Sequence, residues 1–131
     1  MRVTCGIIIH ENKILVTQRS AEMKHPLLWE FPGGKAEPGE TDEECIVREL
    51  KEELNIVVKL NGKLEDCFYD YGNFQIVLVP FIAELTEGII TLTEHMKSEW
   101  LMPDELKSVD WVPADVGVME LFLKFYINQE H

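Results

Sequence analysis

The chain has 131 residues, 24 acidic and 12 basic, for a formal charge of −12. Its length fits one domain spanning 1–131, since domains commonly run about 100–150 residues, and its apolar fraction of 46% is enough for a core. Charge of this sign excludes broad electrostatic binding to nucleic acid or anionic membranes, and it repels phosphorylated ligands unless a cation intervenes.

Residues 3–9 form a β-branched run that reads as a strand. Glu11-Asn12-Lys13 turns the chain into a second strand, residues 13–19, and the two are expected to form a hairpin. Residues 20–29 are irregular around Pro26. Residues 30–35 carry Gly33-Gly34 and read as a tight loop, followed by a turn at Pro38-Gly39. The strongest helix is residues 41–54. Thr41 is its N-cap, and Glu44 stands at the capping-box spacing. Asp42, Glu43 and Glu44 suit the positive end of the helix dipole. Ile46, Val47, Leu50 and Leu54 share an apolar face, and Asn55 tolerates the left-handed conformation of a helix stop.

Strands are then expected at residues 56–60, 64–71, 74–85 and 89–93, with Pro80 marking an edge or a bulge in the third. Pro103-Asp104-Glu105-Leu106 is a helical turn. Pro113 opens a last helix to about Ile127, with Val116, Met119, Leu123 and Tyr126 at core spacing. This is a mixed α/β domain with helices flanking strands. Cys5, Cys45 and Cys67 are odd in number and form no Cys-x-x-Cys pair. They read as buried reduced thiols of a cytoplasmic protein, with no signal-peptide pattern and no run near the ~18 apolar residues of a membrane span.

Glu49, Glu52 and Glu53 stand at i, i+3 and i+4, so three carboxylates point one way from the helix. Like charges at this spacing destabilise a helix, and acidic runs are commonly solvated faces. Arg48, four residues before Glu52, is placed to hold them. Convergent carboxylates suit a hard divalent cation such as Mg²⁺ or Mn²⁺. Gly33-Gly34, just upstream, lets a backbone approach a ligand closely.

Together, Gly34, Glu40, Arg48, Glu49, Leu50, Glu52, Glu53 and Ile56 give G-x5-E-x7-R-E-L-x-E-E-x-N-I over residues 34–56. This resembles the Nudix box, G-x5-E-x7-R-E-U-x-E-E-x-G-U with U aliphatic. The one departure is Asn55 for the last glycine, a helix-end position that supplies no ligand. The resemblance implies an α/β/α sandwich and divalent-metal hydrolysis of nucleoside diphosphates linked to another group. It also implies metal ligation by the Gly33 carbonyl, Glu49, Glu52 and Glu53, with Arg48 orienting the glutamates.

Thr17-Gln18-Arg19, Trp29 through Lys35, Glu94 with Glu99-Trp100, and Pro113-Ala114-Asp115 are similar to the MutT and CTP pyrophosphohydrolase branch. That likeness implies a further metal-side carboxylate or base at Glu94, leaving the proton acceptor open between Glu53 and Glu94. It puts Arg19, Phe31, Gly34 and Lys35 toward the nucleotide and Asp115 at the base. Trp111, near Asp115, is the tryptophan that could stack on a base. His10, His25, His95 and His131 show no metal-ligand spacing and receive no catalytic role, although His95 neighbours Glu94.

The expected activity is Mg²⁺-dependent cleavage of a nucleoside triphosphate to monophosphate and pyrophosphate, with 8-oxo-dGTP as substrate and protection of DNA synthesis as the role. CTP or a modified cytidine triphosphate is the alternative, ahead of ADP-ribose or another dinucleotide and of a non-catalytic nucleotide sensor. The expected partner is a small-molecule nucleoside triphosphate; monomer and homodimer both remain open. Eight acids against three bases lie between Gly34 and Ile56, so the acidity that repels phosphates becomes half of a site once a cation is bound.

Overall fold

The computed structural model describes residues 1–130; His131 lies outside them. The first two strands, β1 (Arg2–His10) and β2 (Lys13–Gln18), form the expected hairpin, with His10 opposite Lys13. Glu11 and Asn12 both take positive φ, 51° and 64°, the two-residue geometry whose twist matches paired strands. Two short strands, β3 (Trp29–Glu30) and β4 (Gly33–Lys35), pair with β2 and β1 respectively. Gly33-Gly34-Lys35 is therefore a strand, where a tight loop was expected. Close approach requires Gly33, and Gly34 leaves room for the Glu49 side chain. A Cβ on Gly33 would overlap the Thr4 backbone, and one on Gly34 would overlap the Glu49 carboxylate.

After helix α1 (Asp42–Leu54) come β5 (Val57–Lys63), β6 (Cys67–Asp70) and the long β7 (Gln75–Glu87). β7 runs parallel to β1 and antiparallel to β5 and β6. The last strand, β8 (Lys97–Leu101), pairs antiparallel with β2. One mixed eight-stranded sheet results.

Strand alternation assigns the two faces of that sheet. Cys5, Ile7, Ile14, Val16, Leu78 and Ile82 point to one side, where they pack with Val118, Met119 and Phe122 of α2 (Pro113–Glu130). Ile8, Leu15, Val79, Phe81 and Ala83 point to the other, against Ile46, Leu50 and Leu54 of α1. The α/β/α sandwich follows from this division, and truncating a fully buried anchor such as Leu50 to alanine costs roughly 2–5 kcal/mol.

Several expectations are corrected. Val47 and Val116 are each 37% exposed; Cys45 takes the buried place on α1, and Val118 and Phe122 on α2. Residues 89–93 form no strand. Their polar groups turn to the end of α1, with Thr91 N–H donating to Leu54 O at 3.0 Å and Thr93 Oγ1 to Glu53 O at 3.2 Å. Pro80 sits in the middle of the sheet, opposite Cys5 on β1. It is tolerated because β6 pairs with β7 only up to Leu78 and β5 only from Phe81. The missing N–H falls between these two partners, while the Pro80 carbonyl accepts from Leu64 N–H at 2.9 Å. Cys5 and Cys45 are buried, Cys67 is half-buried, and all three are unbridged.

Candidate active site

The loop before α1 and the helix itself position the carboxylates. The capping box forms as expected: Glu44 N–H donates to Thr41 Oγ1 at 3.1 Å, and Thr41 N–H to Glu44 Oε1 at 2.9 Å. Asn55 closes the helix in the left-handed region, at φ 59°.

Arg48 is the hub of the exposed face. Its Nε donates to Glu40 Oε2 at 2.6 Å and its Nη2 to Glu40 Oε1 at 3.0 Å. Its Nη1 donates to Glu49 Oε1 at 2.9 Å and to Glu52 Oε2 at 3.0 Å, and its Nη2 also reaches the Lys35 carbonyl at 3.1 Å. The bidentate grip of Arg48 holds the Glu40 carboxyl down to about 2, and the same contacts raise the Arg48 guanidinium further.

A cavity of about 530 Å³ opens beside this face. Gly33, Glu49, Glu52, Glu53 and Glu94 line it together with Arg19, Glu30, Phe31, His95 and Asp115. Burial above all pushes the Glu53 carboxyl up to about 9, helped by its hydrogen bond to Glu49 and by the charges of Glu49, Glu30 and Glu94. Among the described residues no group of three or more His, Cys, Asp or Glu side chains is already gathered for an ion. The donor chemistry nevertheless fits a divalent cation: a crowded wall of hard oxygens, one of them buried against like charge.

Asp115, in the same lining, is only 5% exposed. Phe31 N–H donates to its Oδ2 at 2.9 Å. Burial, followed by the Glu30 charge, pushes the Asp115 carboxyl well above the ordinary carboxylate range. Arg19 lines the cavity, but its Nη1 is committed to both Glu30 oxygens, at 3.0 and 3.2 Å, and its Nε to the Lys24 carbonyl.

Trp111 does not line the cavity. Its ring packs on Phe31 with centroids 4.7 Å apart, and its Nε1 donates to Leu106 O at 2.6 Å. Gly34 and Lys35 also lie outside the lining; Gly34 O accepts from Thr4 Oγ1 at 2.9 Å. The residues that sequence reasoning left without a role are Glu30, His25, Tyr71, Phe74 and His95, all of which line the cavity. Only the position of His95 next to Glu94 hinted at any of them.

A strand-paired diglycine, a capped helix whose Arg48 grips Glu40, Glu49 and Glu52, and a cavity beside them define a class. The NUDIX domain family model matches residues 1–122, and the chain belongs to the Nudix family as a hydrolase. It is 32% identical over 123 residues to the CTP pyrophosphohydrolase of Escherichia coli (strain K12), covering 94% of this chain and 91% of that protein. Identity to the 8-oxo-dGTP diphosphatase of the same organism is 35% over 120 residues, covering 91% and 93%. Among solved structures, the E. coli ORF135 protein superposes with a TM-score of 0.82 at 31% identity, covering 95% of this chain and 89% of that one. No helix among the described residues is long and apolar enough to cross a membrane.

Proposed function

We propose that this Nudix hydrolase is a Mg²⁺-dependent nucleoside triphosphate pyrophosphohydrolase that converts 8-oxo-dGTP to its monophosphate and pyrophosphate. The observation that carries the reading is one cavity lined both by the glutamates and by a buried Asp115. Its volume, about 530 Å³, falls within the usual range for small-molecule sites, roughly 300–1,000 Å³.

Glu49, Glu52, Glu53, Glu94 and the Gly33 carbonyl would hold the cation. When bound, Mg²⁺ neutralises charge at phosphate oxygens and acidifies water. Arg48 fixes the direction of the Glu49 and Glu52 carboxylates. Glu53 or Glu94 accepts the proton of the attacking water. At the base, a neutral Asp115 carboxyl carries an O–H that donates to a purine carbonyl, while its other oxygen stays on Phe31 N–H. Hydrolysing such an oxidised nucleotide would keep it out of DNA synthesis.

A second reading, CTP or a modified cytidine triphosphate, rests on the same residue, because an ionised Asp115 accepts from a cytosine amino group. The test is competition among 8-oxo-dGTP, CTP, 5-methyl-dCTP and ADP-ribose in Mg²⁺, with and without EDTA. Highest kcat/KM for 8-oxo-dGTP, lost in EDTA, supports the proposal. Preference for either cytidine nucleotide moves the substrate to the second reading, and turnover of ADP-ribose alone refutes both.

A further inference from the structure

Arg48 holds Glu49 and Glu52 but not Glu53. Among the described residues, the only Lys, Arg or His side chain paired with Glu53 is His95, whose Nδ1 lies 3.8 Å from Glu53 Oε2. His95 belongs to the stretch between β7 and β8, outside the Nudix box, yet its side chain is only 2% exposed. Its Nε2–H donates to Glu30 Oε2 at 2.7 Å. Glu30 is in turn gripped by Arg19 through both carboxylate oxygens. A carboxylate salt-bridged to arginine only accepts, so the proton of this bond sits on Nε2. That bond sets the imidazole plane and seats the buried ring beside Glu53, with Nδ1 at 3.8 Å, beyond hydrogen-bond reach, so the ring positions Glu53 by packing.

We infer that His95 is the positioning residue of Glu53, anchored by the Arg19–Glu30 pair. Arg19 then acts as an anchor within the protein rather than as a cation for phosphate. The phosphate-side glutamates have two separate supports: Arg48 within the box for Glu49 and Glu52, and His95 outside it for Glu53. The inference rests on the proposed role of Glu53 as a cation-side group. Partners that orient such groups are worth about 10–100-fold in metal affinity or activity.

The test uses His95→Gln, which keeps a donor within reach of Glu30 but places no ring beside Glu53, and His95→Leu, which loses both the ring and the donor. Each is assayed for kcat and KM and, separately, for Mn²⁺ affinity by calorimetric titration, with thermal melts in EDTA to verify folding. The expected result is a fall of about tenfold or more in kcat and in Mn²⁺ affinity, with nucleotide KM unchanged. Glu30→Gln, which keeps an acceptor for Nε2, should lose less than Glu30→Leu. Wild-type kcat and Mn²⁺ affinity in a folded His95→Leu protein would overturn the inference, as would a rise in KM alone. A wild-type protein that hydrolyses no nucleoside triphosphate defeats the proposed function instead, and the Mn²⁺ titration still decides the role of His95.

Discussion

The glutamates and the Asp115 region that line the cavity are assembled at different distances along the chain. On the glutamate stripe, Arg48 and Glu52 are four residues apart, and one capped helix sets the spacing of Glu49, Glu52 and Glu53. In the Asp115 region, Phe31 and Asp115 are 84 residues apart. A helix period sets the glutamate stripe; the Asp115 region exists only once β3 and the start of α2 have met. The first should therefore act alike on every substrate, and the second should decide among them.

Glu53→Gln is expected to show the largest effect. Loss of a carboxylate that takes a proton costs about 10²–10⁴-fold in kcat, and the factor should be the same for every nucleotide tested. A factor that varied from base to base would break the division. Because Glu53 is not part of the apolar core, the melting temperature should not fall. Arg48→Ala comes next. It frees Glu49 and Glu52, with an expected loss of about 10–100-fold, again uniform across bases.

Asp115→Asn should leave the best kcat within a small factor but change the ratio of kcat/KM between 8-oxo-dGTP and CTP. A buried hydrogen-bond partner is worth about 1–3 kcal/mol, so a shift of roughly 5- to 150-fold is expected. An unchanged ratio would remove Asp115 from the base site.

The smallest effect is on stability. Without a cation, burial and Glu49 hold the Glu53 carboxyl up to about 9, whereas the unfolded chain releases that proton near ~4.3. The folded state thus keeps a proton that the unfolded state gives up. This stabilisation is complete below the unfolded value and is lost as pH rises through about 9. Burial moves Asp115 in the same direction. Melting temperature in EDTA should fall between about pH 5 and pH 9 by at least about 4 °C, the shift that about 1 kcal/mol makes in a domain of this size. Mg²⁺ should flatten the slope. A flat profile in EDTA would place Glu53 in water.

The same contrast governs what could be read from the chain alone. The capping box, the Asn55 stop, the β1–β2 hairpin and the glutamate stripe all follow from local spacing. Val47 and Val116 did not, because helical periodicity leaves the edge of an apolar face undefined by one position. Residues 89–93 alternate like a strand, yet their partner is the end of α1. β8 escaped notice because Lys97-Ser98-Glu99 has no apolar run, and its pairing with β2 carries it. Trp111 stands near Asp115 in sequence, but its ring turns into the core against Phe31. His95 has no motif of its own; only its contacts with Glu30 and Glu53 mark it.

The central claim is that the phosphate side cleaves a nucleoside triphosphate between its first and second phosphates. Phosphorus NMR of the products formed from 8-oxo-dGTP in Mg²⁺ tests it most directly. 8-oxo-dGMP and pyrophosphate should appear in equal amounts, about 10²–10⁴-fold more slowly with Glu53→Gln. Release of 8-oxo-dGDP and inorganic phosphate, or full turnover by Glu53→Gln, would contradict it.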